Sequence, residues 1–201
     1  MKKVLKFIGI LILLVVAFFL IAGLFVKKEY HFERSVSINA PKAVVWEQVS
    51  TLGNQQHWSP WLEHDPNMQQ KIEGVDGTVG AVHSWKGNKE VGSGSQTIKA
   101  LYPMDKIETS LDFKEPYESH ADAYVTLADE ANGVKATWGF DSKFPYPMNA
   151  MMLFMNMDKA MDTEFNKGLA KLKDISEKNA AAAAAAPAPV VTTDSTATMA
   201  H

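Results

Sequence analysis

The sequence predicts an α+β domain, a curved antiparallel sheet packed against one long C-terminal helix, carried behind a single transmembrane helix. Three observations lead there: an uncharged apolar run near the amino terminus, a central region of short strand-like runs broken by turn residues, and an apolar stripe at helical spacing beyond residue 149. The chain has 201 residues, a formal net charge of −3 and no cysteine. That length suits one substantial core. The charge argues against nucleic acid, whose phosphates need clustered Lys and Arg. Without cysteine there are no disulfides, thiolate metal sites or cysteine nucleophiles.

Residues 7–26 carry no charge and are bracketed by Lys2, Lys3 and Lys6 on one side and Lys27 and Lys28 on the other. As a helix this run is ~30 Å long, the thickness of a bilayer's hydrocarbon core. A cleaved signal would have a shorter apolar region of roughly 7 to 15 residues and an Ala-x-Ala-like site. Here only Ala22 and Gly23 are small, and Leu24, Phe25 and Val26 continue the run. Residues 1–28 therefore read as an uncleaved anchor. The lysine bias across it is small; it favours a cytoplasmic amino terminus and a single-pass protein whose domain is extracytoplasmic.

The domain is read over residues 29–178. Tyr30, Phe32, Val36 and Ile38 alternate with polar residues, the period of a half-buried strand, although Arg34 falls on the apolar side. Ala40-Pro41 opens a short helix with Val44, Val45, Trp46 and Val49 on its apolar face. Residues 52–66 read as a short helix and an ordered loop. From residue 69 to 141, turns at Asp76-Gly77, Lys86-Gly87-Asn88, Pro103-Met104-Asp105, Glu115-Pro116 and Ala131-Asn132-Gly133 divide a meander of strands. A long helix is expected to begin near Asn149 as its N-cap, with Phe154, Met157, Met161, Phe165, Leu169, Leu172 and Ile175 forming its buried stripe. Gly168 costs that helix ~1 kcal/mol relative to alanine, so close approach to the sheet is the expected compensation. Residues 179–201 form an Ala/Pro/Thr-rich tail with too little apolar bulk to stay ordered, apart from a turn or two of helix over the alanines.

The order and spacing of several motifs carry a resemblance. Ser35-Val36-Ser37-Ile38-Asn39-Ala40-Pro41 precedes Val45-Trp46, and Trp58-Ser59-Pro60-Trp61 precedes Asp65-Pro66. Val79-Gly80, Trp85 with Gly87-Asn88, Gly92-Ser93-Gly94 and Gly133 before Thr137-Trp138 follow. Together they resemble the SRPBCC, or START-like (Bet v 1-like), superfamily, in its polyketide cyclase/dehydrase-type members. The resemblance implies a helix-grip fold, a sheet gripping the long helix, and a cavity between them for apolar or amphipathic molecules. It implies no particular activity, since one fold serves many.

Cavity candidates are Trp58, Trp61, His83, Trp85, Trp138, Phe140, Met151, Met152, Phe154 and Met155. Six of the ten methionines lie between residues 148 and 161. Unbranched, polarizable thioethers would give a deformable wall, and core filling accounts for them equally well; Cu(I) capture is disfavoured by the lack of a histidine in the cluster. Tryptophan offers apolar area with one donor, but plugging the sheet's end is the favoured role for Trp58. His83 shares a strand face with Trp85 and would orient a ligand or move a proton, against the simpler reading of an exposed or edge histidine. His57, His64 and Asp65 match no tight zinc spacing. No Gly-x-Ser-x-Gly elbow, Walker motif or dinucleotide fingerprint occurs, so no cofactor is expected. The expected function is membrane-anchored binding of a hydrophobic or lipid-like small molecule. A cyclase/dehydrase-type enzyme and a cavity-less scaffold are the alternatives.

Overall fold

A computed structural model describes residues 2–185. Leu, Ile, Phe and Val dominate the first 25 residues, and without proline they form α1 (Lys2–Phe25), a helix long and apolar enough to cross a membrane. After Lys27 and Lys28 the alternating stretch becomes β1 (Glu29–Ile38). Three short helices follow, α2 (Lys42–Val49), α3 (Leu52–Trp58) and α4 (Trp61–His64). Pro41 sits just ahead of α2 and its carbonyl accepts from Val44 and Val45. Thr51 caps α3 by accepting from the Asn54 amide at 3.3 Å.

The meander is β2 (Gln69–Glu73), β3 (Val82–Lys86), β4 (Ser93–Tyr102), β5 (Lys106–Glu115), β6 (Ser119–Glu130) and β7 (Gly133–Lys143). With β1 it makes one seven-stranded antiparallel sheet in the order β1-β7-β6-β5-β4-β3-β2. The expected fold is borne out: α+β, with α5 (Met157–Ala185) lying against the sheet. Register shifts at Ser93/Gly94 and Ile98/Ala100 bend β4 against β5, the bulges a curved sheet needs. Gly133 makes the β6–β7 turn at φ 142°, where a Cβ would collide with the Ile38 carbonyl of the neighbouring strand.

The core lies between α2, α5 and the inner face of the sheet, around Val45, Val49, Leu52, Ile98, Ile107, Leu127, Leu169 and Leu172. Arg34, out of place in the alternation, bridges to α5: its Nε donates to Asp162 Oδ1 at 2.6 Å and its guanidinium lies 4.3 Å from the Phe32 ring centroid. Gly168 does what its cost implied. A Cβ there would stand 2.8 Å from Trp138 Cζ3, so the missing side chain lets α5 settle onto β7.

One expectation fails. The long helix does not begin at Asn149; Met148–Leu153 is a separate 3-10 helix and α5 starts at Met157. Asn156 caps α5, its Oδ1 accepting from the Lys159 amide at 3.1 Å. Asn149 is instead fully buried against α1, where its Nδ2 donates to the carbonyls of Gly23 and Val26, each at 2.8 Å. It serves the C-terminus of one helix instead of the N-terminus of another. At its far end α5 runs to Ala185, so the first alanines extend the helix and the tail drawn from residue 179 begins inside it. The rest of the tail expectation, residues 186–201, lies outside the described residues.

Candidate functional site

Strand register decides which loops meet. Glu29, where the chain leaves α1, pairs with Lys143; Phe113 pairs with Ser119 and with Gly94, and Ser93 with Lys86. The β3–β4 loop, the β5–β6 turn and the root of α1 therefore share one end of the sheet. At this end the inner face is aromatic. Trp85 meets Phe113 edge-on with centroids 5.7 Å apart, and Tyr30 touches Phe140 at 5.8 Å and Phe144 at 6.5 Å.

Deeper in, the space between sheet and helix is filled. Trp138 stacks on Phe165 of α5 at 4.0 Å, Trp58 meets Trp138 edge-on at 5.0 Å, and Phe32 closes on Phe165 at 5.2 Å. Trp58 is 2 % exposed and its indole donates to the Gln48 carbonyl at 3.0 Å. The expected enclosed apolar cavity is occupied by this stack, because four large rings converge where α5 lies closest to β7. Two open grooves lie at the two ends of the sheet.

One groove, about 350 Å³, lies at the α1 end of the sheet between α4, the β3–β4 loop and the first turns of α5. Trp61, Ala160 and Met161 supply apolar wall, and His64, Glu90, Thr163 and Glu164 a polar rim. His64 Nε2 is 3.1 Å from Glu164 Oε2 and its Nδ1 is 3.3 Å from Glu90 Oε1. Carboxylates only accept, so both contacts are satisfied by the doubly protonated ring. The hydrogen bond to Glu164, then the charges of both carboxylates, raise the His64 pKa above its ordinary value against the opposing effect of burial. Lys167 pairs with Glu164 at 3.3 Å and Lys171 with Glu63 at 2.6 Å, bounding the rim with positive charge. A second groove, about 510 Å³, lies at the opposite end beside Ser37, Asn39, Glu130 and Lys173.

His83 is neither exposed nor at an edge. It is 3 % exposed on β3, inside the sheet, with Nε2 at 2.9 Å from Gln70 Oε1 and Nδ1 at 3.4 Å from Gln56 Nε2. An amide oxygen accepts and an amide nitrogen donates, so the neutral Nε2–H tautomer fits both partners. Burial pushes the His83 pKa down, Asp76 opposing it weakly.

Of the ten cavity candidates, Trp58, Trp138 and Phe140 meet at the aromatic stack or its edge through Phe165, His83 and Trp85 stack on each other at 6.1 Å, and Trp61 lines the groove. Met151, Met152, Phe154 and Met155 are elsewhere, in and just after the 3-10 helix, with the Phe154 ring 6.0 Å from Phe18 and 5.9 Å from Phe19 of α1. They precede α5, which starts only at Met157, and so do not lie between it and the sheet. Glu90, Glu164 and Phe165 were not foreseen as site residues; Phe165 stood on the long helix's apolar stripe, and nothing in the local spacing pointed to Glu90 or Glu164. Asp65 and His57 take no common role: Asp65 accepts from the amides of Asn67 and Asn88, while His57 is exposed. Among the described residues no group of three or more His, Asp or Glu is arranged to hold a metal.

A family model described as polyketide cyclase / dehydrase and lipid transport matches residues 29–177. The chain belongs to that family. Its solved relatives share the fold at low identity. An uncharacterised protein from Rhizobium leguminosarum superposes with a TM-score of 0.57 at 13% identity, over 75% of this chain and 96% of the other. The di-domain ARO/CYC protein StfQ from the steffimycin biosynthetic pathway superposes at 0.58 and 10% identity, over 77% of this chain and 52% of its own. Ara h 8.0201 superposes at 0.50 and 13% identity, over 73% of this chain and 99% of the other. No curated protein matches the sequence. The family places the helix-grip domain of this chain among ligand-holding folds, and the groove geometry belongs to this chain's own residues.

Proposed function

We propose that the protein is a membrane-anchored binder of a hydrophobic or amphipathic small molecule, with α1 as its single-pass anchor and the groove at the α1 end of the sheet as the entry site. The observation that carries this reading is the position of that groove: apolar on Trp61 and Met161, polar at His64, Glu90 and Glu164, and on the same sheet end as the apolar helix. An amphipathic molecule would lay its apolar part on Trp61 and Met161 and offer hydrogen-bonding groups to the rim. Trp85 and Phe140 lie at that end of the sheet's inner face, and further entry requires Trp138 and Trp58 to part from Phe165. His83, held by Gln56 and Gln70, keeps the wall in place.

The packing of α1 supports an anchor over a removable signal. Gly23 is buried, Tyr146 donates to the Leu20 carbonyl at 3.1 Å, and Asn149 holds two carbonyls of the last turn. Removing α1 would strip a buried amide of its partners. Lys2, Lys3 and Lys6 in the first turns of α1, against Lys27 and Lys28 after it, favour an extracytoplasmic domain.

The test is native mass spectrometry of the full chain in nanodiscs, followed by solvent extraction. The expected result is a stoichiometric apolar or amphipathic molecule, recovered unaltered, whose occupancy falls in Trp61→Ala and Met161→Ala. An empty protein, or occupancy indifferent to both substitutions, would overturn the groove as the site. Recovery of a chemically altered molecule would favour the cyclase/dehydrase-type alternative, with the His64–Glu164 pair as the acid–base group in reach.

A further inference from the structure

The segment after the sheet is unusual in what it lacks. Residues 144–157 contain no charged side chain, and they hold five of the chain's ten methionines together with Leu153 and Phe154. Large apolar side chains here are open to solvent: Met148, Met151, Leu153, Phe154 and Met155 are 50 %, 42 %, 57 %, 67 % and 49 % exposed. An isolated domain in water would not hold out such a cluster without a use for it.

What lies next to the cluster names its occupant. The 3-10 helix packs along α1, with Phe154 between Phe18 and Phe19, Tyr146 on Leu20, and Asn149 on Gly23 and Val26. Gly23 makes the approach possible, since a Cβ there would stand 3.1 Å from both Asn149 Oδ1 and the Tyr146 ring. Phe18 and Phe19 are six or seven residues from the end of α1, which at 1.5 Å per residue puts Phe154 roughly 10 Å below that end. The side of α1 not covered by the segment, including Leu14 and Ile21, is exposed as well. The two apolar surfaces are thus continuous. A single layer of hydrocarbon that covers α1 at Phe18 must also reach Leu153, Phe154 and Met155, unless the domain detaches from the helix.

We propose that residues 147–155 form a second membrane-inserted element, a short wedge lying in the same leaflet as the C-terminal half of α1, with Tyr146 and Lys27 and Lys28 at the headgroup level. The proposal rests on the reading of α1 as an anchor. The wedge sets the domain's orientation. One helix alone lets a domain swivel about its axis; a second inserted element, one residue before α5, holds the α4–α5 groove at the bilayer surface. The occupant is the lipid bilayer itself, since Tyr and Lys flank the apolar segment as they flank spanning helices.

The absence of cysteine makes the test direct. Single cysteines at Leu14→Cys, Leu153→Cys, Met155→Cys and Asn132→Cys in the full chain are labelled with an environment-sensitive fluorophore and reconstituted in phosphatidylcholine vesicles containing phosphatidylglycerol, with and without doxyl-labelled lipid. Asn132 is exposed in the β6–β7 turn, at the far end of the sheet. The expected result is blue-shifted emission that is lost on adding doxyl lipid at positions 14, 153 and 155, and water-like, unquenched emission at 132. Quenching at 14 with water-like emission at both 153 and 155 would overturn the wedge and leave the anchor standing. Water-like emission at 14 would overturn the anchor and the wedge together. The three substituted apolar residues are exposed, so loss of folding is not the expected consequence of replacing them.

Discussion

At the scale of single residues, two histidines respond to pH in opposite senses. Burial holds the His83 pKa below its ordinary value, so as pH falls below about 6.5 the unfolded chain takes up a proton that the folded chain resists. Stability should fall with acid until the pH passes the depressed value, and His83→Gln should flatten that slope in denaturant titrations between pH 5 and 7. His64 is the reverse. Its raised pKa contributes stability that is fully present below about 6.5 and is lost as pH rises through the folded value. His64→Gln should therefore remove a loss of stability on the alkaline side, and the His64 ring resonances should titrate above those of a free histidine. Gly168 was legible in the sequence, because an interior glycine in a long amphipathic helix needs a packing reason. Gly168→Ala should gain ~1 kcal/mol of helix propensity and lose more by driving a methyl into Trp138, for a net loss on the order of 1–2 kcal/mol in the unfolding midpoint.

At the scale of elements, the instructive case is the stretch from residue 148 to 157. The spacing of Phe154, Met157, Met161 and Phe165 has the period of one continuous helix, and Asn149 has the chemistry of an N-cap. Asn156 has the same chemistry, and it wins because Asn149 is engaged by Gly23 and Val26 more than 120 residues earlier. Spacing within a segment carries no information about such a partner. Asn149→Ala leaves two helix-terminal carbonyls unpaired in a buried place, and a loss of about 1–3 kcal/mol is expected in the thermal unfolding of the detergent-solubilised full chain. Asn149→Asp should be worse, since a carboxylate would face the carbonyl end of α1. The methionines change meaning with the helix start. In a continuous helix Met151, Met152 and Met155 were candidates for a cavity wall; in and just after the 3-10 helix they lie beside α1, with Met151 and Met155 exposed.

At the scale of the whole molecule, period-two alternation, turn residues and the final amphipathic stripe were sufficient to predict one curved antiparallel sheet with a helix against it. Those signals are local: a strand's faces alternate whatever it pairs with, and an uncharged run of bilayer length announces itself. Local physics accounts equally for Pro41 ahead of α2 and for the turn at Gly133. Which groups meet across the chain was settled only by the tertiary structure. The pairing of β1 with β7 gathers the β3–β4 loop, the β5–β6 turn and α1 at one end, and that end carries the groove. His64 finds Glu90 and Glu164, the latter 100 residues away, and Trp138 finds Phe165 and fills the space where a cavity was expected. The sequence by itself determined the elements, because each is a matter of neighbours within a few residues; only folding determined the site, because its energies come from contacts whose partners are chosen by the closure of the sheet and the docking of its helices.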